Sequence, residues 1–333
     1  MSESDEHPVA PDGVAELTEP AFAELVNRHR RELHVHCYRM LGSFEEAEDH
    51  VQDVFLRAWR ARATYAGRAG VRTWLYRIAT NACVDTLRRD TRRAGALAGQ
   101  APGSVASMPW VQPFPDSTPV EPADPAEDPE TAAIRRETTS LAFLVTIQLL
   151  PPRQRAVLIL RDLLDWPATR TAEVLDTTVA SVNSALQRAR TTLRDQIPGH
   201  QPDLTPAAPP SPAEQQLLRQ YIDAHEQADP EALIAILRAD VRLTISPEVG
   251  VWTGRDTVAA ALRAGMNSLG RWRLLPITVN GGLGAAGYLR RPGQSDFEPF
   301  VLAVLDFRDG RLQGMTAFEQ PGLFPAFGLP AKL

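Results

Sequence analysis

The chain has 333 residues, a length for two or three domains, and its 44% hydrophobic content is ordinary for a folded globular protein. No apolar run approaches the roughly 18–20 residues of a bilayer span, and the acidic opening MSESDEHPVAPDG has neither the basic nor the apolar region of a signal peptide, which predicts a cytoplasmic protein without a membrane partner. The two cysteines, Cys37 and Cys83, are too few for a disulfide framework or a zinc set and read as small buried apolar residues, so neither metal nor cofactor is expected.

The net charge of −6 is unevenly spread. Residues 1–20 sum to −6, 21–95 to +5, 96–130 to −6, 131–197 to +3 and 198–333 to −2. Two Arg-rich blocks thus alternate with acidic tethers, a distribution that favours phosphate contact in the blocks and repels it from the tethers. Residues 1–20 read as a disordered acidic terminus. Residues 96–130, rich in Pro, Ala, Ser and acids, and residues 198–212, dominated by Pro, read as extended or disordered linkers that bury no core. Three folded units remain: 21–95, 131–197 and 213–333.

The first unit reads as all helix. A run over 21–41 ends at Gly42. Ser43 caps a second helix, with Glu46 completing a capping box, and Ala47, Val51, Val54, Phe55 and Ala58 recur on its inner face. A loop from Thr64 to Gly70 precedes a third helix over 72–92, with Leu75, Ile78, Ala79, Ala82 and Leu87 inward. In the second unit, helices are predicted over 133–149, 152–164 and 168–175, then from Thr178 to Gln196, where Pro198 stops the last one. The third unit opens helically over 212–238 and turns β-rich: 241–245, 272–279, 285–290, 300–307 and 312–318, with Asp309-Gly310 as a hairpin signal. This mixture reads as α+β.

Three polar constellations stand out. Glu45, Asp49 and Asp53 line one face of the second helix beside Gln52, with Arg57 placed to neutralise part of the stripe; charge alone leaves a basic partner and a solvated face both open. Arg77, Asn81, Asp85 and Arg88 form a stripe on the third helix, close to Tyr65, Trp74 and Tyr76, a combination suited to base edges, phosphate and unpaired bases, or to an Arg-rich solvated helix. The second unit has a helix-turn-helix pattern. Val179, Val182, Leu186, Ala189 and Leu193 form the buried stripe of its last helix, and Thr178, Ser181, Ser184, Gln187 and Arg188 form the opposite face, flanked by Asn183 and Arg190.

The segments EAEDHVQDVFLRAWR (46–60), RTWLYRIATNACVDTLRR (72–89), LPPRQRAVLILRDLLDW (150–166) and VASVNSALQRAR (179–190) closely resemble the two domains of extracytoplasmic-function sigma factors of the sigma-70 family, over about residues 20–197. The remainder, through YIDAHEQADPEALIAIL (221–237), GVWTGRDTVAAAL (250–262) and LFPAFGLP (323–330), resembles the SnoaL-like domain fused to a subset of them. The resemblance implies a multidomain architecture: two all-α sigma domains, a helical bundle (region 2) and a helix-turn-helix (region 4), followed by an α+β SnoaL-like cone-shaped barrel. It implies a protein that binds core RNA polymerase at the beta-prime clamp and beta flap and directs initiation at promoter DNA. Asp49, Gln52, Asp53 and Phe55 would dock on the polymerase. Tyr65, Arg72, Trp74, Arg77, Asn81, Asp85 and Arg88 would melt and read the minus-ten element, and Thr178, Ser181, Ser184, Gln187 and Arg188 the minus-thirty-five element. The acidic linker, long for the family, would run near the RNA exit path.

Arg170 and Thr171 depart from the family, which usually has an acid and an apolar residue there. In the SnoaL-like unit, Tyr221, His225, Trp252, Arg255 and Asp256 are candidates for a ligand pocket. His225 and Asp256 could serve as an acid–base pair, but a structural contact that restrains the sigma domains is the favoured role, and no enzyme activity is expected. A helix-turn-helix regulator and a SnoaL-type enzyme tethered to DNA are the competing readings.

Overall fold

The computed structural model describes residues 18–62, 65, 70–90, 108–116, 140–196, 210–246, 250–266 and 268–333. Residues 1–17, most of both linkers and most of the loop from Thr64 to Gly70 lie outside them.

The first unit is a bundle of α1 (Glu19–Leu41), α2 (Phe44–Ala61) and α3 (Val71–Arg89). Gly42 ends α1 in the left-handed conformation, at φ 81°, and its amide bonds the Tyr38 carbonyl. Ser43 Oγ accepts from the Glu46 amide and caps α2. Ala47, Val51, Val54, Phe55 and Ala58 are buried on one stripe, and both cysteines are buried.

The second unit comprises α4 (Leu141–Gln148), α5 (Pro152–Leu158), which continues as a π-helical turn over Ile159–Leu163, then α6 (Ala168–Val174) and α7 (Val179–Gln196). Val182, Leu186, Ala189 and Leu193 are buried as the periodicity demands. Val179, placed in the same stripe, is instead 39% exposed, because the first turn of α7 projects beyond the packed neighbours.

The third unit opens with α8 (Pro212–Glu226) and α9 (Pro230–Ala235). Leu237, expected to be helical, already belongs to β1 (Leu237–Ser246). Then follow β2 (Gly250–Thr253), α10 (Arg255–Met266), β3 (Arg271–Val279), β4 (Gly282–Arg290), β5 (Glu298–Arg308), β6 (Arg311–Phe318) and a closing 3₁₀ helix, Pro321–Phe327. One six-stranded sheet has the order β2-β1-β6-β5-β4-β3; only β1 and β6 run parallel. Two hairpins turn on residues of positive φ, Asp309-Gly310 between β5 and β6 and Asn280-Gly281 between β3 and β4.

Residues 108–116 overturn the reading of the whole first linker as coreless. Met108, Val111 and Phe114 are each at most 5% exposed. They join a core that runs from both sigma-like bundles into Val279, Tyr288, Phe318 and Phe324 of the third unit, which also has a separate core of its own. Composition hid this strap, because its four large apolar residues sit among prolines and acids.

Candidate functional site

Three surfaces and one cavity carry the candidate residues. On α2, Asp49 and Gln52 are exposed and Asp53 is half-buried. Asp53 pairs with Arg57 at 2.6 Å, the partial neutralisation that the spacing predicted. Glu45 is occupied elsewhere: it accepts from Gln112 Nε2 of the strap at 2.7 Å. Phe55 does not belong to this surface. It is 7% exposed and packs edge-on against Phe22, as its place in the buried stripe requires. The apolar residue that does reach solvent is Leu56, 55% exposed beside Gln52 and Asp53. The helical wheel already placed it outside, so the sequence held the signal.

Along α3, Arg77, Asn81, Asp85 and Arg88 are exposed as one stripe. Trp74 stacks on Tyr65 with ring centroids 4.9 Å apart. Arg72 faces inward: its Nε donates to Glu32 at 2.7 Å, and its guanidinium lies over the Tyr76 and Trp166 rings. Glu32 is 3% exposed. Burial raises its pKa, but hydrogen bonds from His29 and Arg72 outweigh that and hold the carboxyl below its ordinary value.

On α7, Thr178, Ser181, Ser184, Gln187 and Arg188 are all exposed, and Arg188 Nη1 donates to Ser184 Oγ at 2.7 Å. Arg190 is structural. Its two bonds to Asp162, at 2.9 and 2.7 Å, lock α7 to the π-helical turn.

The sigma-like units do not stand apart. Arg155, 4% exposed, donates to the Met40, Gln148 and Leu150 carbonyls and to Gln148 Oε1, and Gln148 Nε2 donates to the Arg39 carbonyl. Trp166 packs 4.9 Å from Tyr76. The Arg170 guanidinium covers Trp166 at 3.8 Å while its Nε donates to Thr73 Oγ1 at 2.8 Å. Arg170 thus bridges α6 and α3. Thr171 is fully buried and satisfies its hydroxyl on the Pro167 carbonyl at 3.2 Å, so its polarity costs little packing.

The third unit is clasped to the first through the strap. Asn280, in the β3–β4 turn, exchanges backbone and side-chain bonds with Phe114 and donates to the Tyr38 hydroxyl, which in turn donates to the Gln112 carbonyl. Gln112 Oε1 accepts from Ser43 Oγ and the Glu45 amide, and Gln112 Nε2 bonds Gln320 Oε1 at 3.1 Å. One side chain therefore touches the start of α2 and the residue that leads into the closing 3₁₀ helix. Asn-Gly between two β runs was a legible hairpin signal; what the turn grips was not.

A cavity of about 510 Å³ lies between α8, α10 and the sheet. Tyr221, His225 and Trp252 line it as expected, together with Trp272, Phe300 and Met315; Arg255 and Asp256 do not. Arg255 donates to the Leu237 carbonyl, and Asp256 lies in the first turn of α10. The supposed His225–Asp256 acid–base pair is therefore not assembled in the cavity. Burial pushes the His225 imidazole down to about 4.

The chain is similar to known proteins over most of its length. Residues 25–93 match the Sigma-70 region 2 model and residues 140–193 the Sigma-70 region 4 model. The ECF RNA polymerase sigma factor SigG of Mycobacterium tuberculosis is 39% identical over 322 residues, covering 94% of this chain and 85% of that one. SigJ of the same species is 28% identical, covering 89% and 90%. The crystal structure of M. tuberculosis SigJ superposes with a TM-score of 0.60 at 20% identity over 93% of this chain, which shows the shared fold. The first two units thus define a sigma-70-type transcription initiation factor. The chain belongs to the ECF RNA polymerase sigma factors, and its third unit is an α+β extension that the SigG and SigJ matches also span.

Proposed function

We propose that this sigma factor rests in a closed form, held by its SnoaL-like unit, and opens on core polymerase. In the cytoplasm, Asp49, Gln52 and Asp53, joined by Leu56, dock on the beta-prime clamp, and region 4 engages the beta flap. Trp74, Arg77, Asn81, Asp85 and Arg88, with Tyr65, take the minus-ten element once Arg72 is released. Thr178, Ser181, Ser184, Gln187 and Arg188 take the minus-thirty-five element. The SnoaL-like unit acts by contact rather than by catalysis.

The Arg170–Trp166–Thr73 bridge carries this reading. The two promoter elements are about 25 base pairs apart, roughly 85 Å of duplex at ~3.4 Å per step. In the closed form α7 and α3 are separated only by intervening packed helices, about 20 Å at 8–10 Å per packing step. One arrangement cannot serve both elements at once. Run-off transcription with core polymerase, from the promoter of the protein's own gene, tests the proposal. The double variant Asp49→Arg/Asp53→Arg is expected to lose initiation while keeping its melting temperature. The double variant Gln112→Ala/Asn280→Ala is expected to raise initiation. Equal output from all three proteins would sink both the docking and the clasp assignments.

A further inference from the structure

The third unit carries another cavity, of about 420 Å³, at the open end of the β3–β4 hairpin. It is distinct from the central one, although Trp272 borders both. Trp272 and Leu274 of β3 face the central cavity, and successive residues of a strand face opposite sides, so Arg271 and Arg273 lie on the outer face. Arg290 of β4 pairs directly with Arg271 across the ladder and shares that face. All three arginines line the outer cavity, and the last turn of α8 forms its opposite wall with Asp223 and Glu226. The volume suits a small molecule.

Like charges directly opposite each other on a sheet repel, yet among the described residues no carboxylate lies within ion-pair distance of Arg271, Arg273 or Arg290. Instead, the Arg290 and Arg273 guanidinium groups rest 4.7 and 5.9 Å from the ring centroid of Phe297, which also lines the cavity. One ring thus holds two cations in place before a ligand arrives, with their N–H forks available, an arrangement that suits phosphate. The acidic wall decides the kind of phosphate. A uniform polyanion such as duplex DNA would bring phosphates against Asp223 and Glu226 as well. A ligand with phosphates at one end and N–H donors at the other satisfies both walls. Glu226 Oε1 already accepts from the Leu274 amide at 3.0 Å. Asp223 is exposed and in no ion pair among the described residues, which leaves its carboxylate to accept from a ligand. The pairing edge of guanine offers two adjacent N–H donors to the two oxygens of one carboxylate, whereas that of adenine sets an acceptor beside its donor.

We propose that this outer cavity binds a guanine nucleotide carrying two or more phosphates, with the phosphates on Arg271, Arg273 and Arg290 and the base edge on Asp223. Asn280, which grips the strap, lies at the other end of the hairpin, roughly 27 Å away at ~3.4 Å per residue. Binding at the arginines therefore does not draw on the clasp, and its test does not rest on the closed form.

Three probes separate the elements of the proposal: GDP has both ends, ADP changes the base edge, and pyrophosphate has no base. Each is titrated by calorimetry into the full chain at pH 7.5 and ~0.15 M salt, where weak surface attraction is screened. GDP is expected to bind at a single site, about fivefold more tightly than ADP and about tenfold more tightly than pyrophosphate, as one or two hydrogen bonds to a charged group require. The double variant Arg271→Gln/Arg290→Gln should weaken GDP and pyrophosphate about tenfold or more. Asp223→Asn should move the two ligands in opposite directions, weakening GDP and tightening pyrophosphate, because it removes a base contact and a negative charge together. Arg271→Gln also relieves the like-charge pair, so its ligand-free melting temperature should equal or exceed the parent's; a fall of several degrees would make the arginine a structural residue and overturn the proposal. Pyrophosphate or ADP binding as tight as that of GDP would mean adventitious anion binding only, or no reading of the base, and would overturn it too. So would GDP affinity unmoved by the double variant, or the absence of saturable GDP binding up to about 1 mM, the weak end of specific recognition. A double variant that loses binding of a promoter-length duplex and keeps that of GDP would assign the arginines to DNA instead.

Discussion

Helices α3 and α7 both carry side chains suited to DNA, but the structure treats them differently. Every candidate on α7 faces solvent, whereas α3 commits its first turn to the protein: Arg72 to buried Glu32, and Thr73 to Arg170. The helix that would read duplex is free, and the helix that would capture melted bases is partly engaged. A closed sigma factor with this asymmetry can retain some affinity for intact duplex while being unable to open it. On the proposed roles, the part of the promoter machinery that commits to melting would be the part held in reserve.

The strongest way to break the comparison is to remove what holds the two units together. Arg155→Ala strips the buried hub of the interface and leaves Gln148 Oε1 and several carbonyls unmet; at about 1–3 kcal/mol for each buried unmet acceptor, a loss of about 3–5 kcal/mol is expected, which lowers the melting temperature by roughly 10 °C. A drop of only a degree or two would mean the units are held mainly by apolar packing. A milder break is Arg170→Ala, which removes one hydrogen bond and one cation–π contact, about 1–2 kcal/mol. Small-angle scattering should show an expanded population, and capture of a single-stranded minus-ten oligonucleotide should improve roughly tenfold, while duplex binding by α7 stays constant. Improvement of both to the same degree would erase the proposed asymmetry.

Arg188→Ala sharpens the other side. A cost of ~1–3 kcal/mol confined to one position of the minus-thirty-five element is expected in promoter-variant binding with holoenzyme. A uniform loss across sequences would make Arg188 a phosphate contact. A further effect concerns pH. Burial pushes His36 down to about 3 and His225 to about 4, against about 6.5 in an unfolded chain. Between those values the unfolded state binds more protons, so the stability these rings contribute is complete above about pH 6.5 and is lost progressively as pH falls through their folded values. The urea midpoint should decline from pH 7.5 to pH 5, and His36→Gln should flatten that slope. A midpoint higher at pH 5 would contradict the burial of the neutral rings.

Most helices and strands were legible because their apolar residues repeat with the right period: the buried stripe of α2 and the Val182–Leu193 face of α7 follow directly from spacing. The acidic stripe on α2 was legible as charge, but Phe55 was assigned to it against its own periodicity. What could not be read were long-range partners. Nothing local distinguishes Arg170 on an exposed helix from Arg170 laid across Trp166. Gln112 gave no sign of the two helix starts that it joins. Trp272 read as one strand residue among many, since a cavity is assembled by segments distant in sequence.

The clasp also has an order in time. The strap is made before region 4, but Asn280, which grips it, lies about 80 residues beyond the end of α7. At ~5–20 residues per second this delay lasts roughly 4–16 s. During synthesis each chain therefore holds its first two units, bridged through Arg155 and Arg170, before the clasp from the third unit exists. Under the proposed clasp, a nascent molecule close to its own gene would have a brief opportunity to recruit polymerase, and the finished molecule would have to be opened before it could do so again.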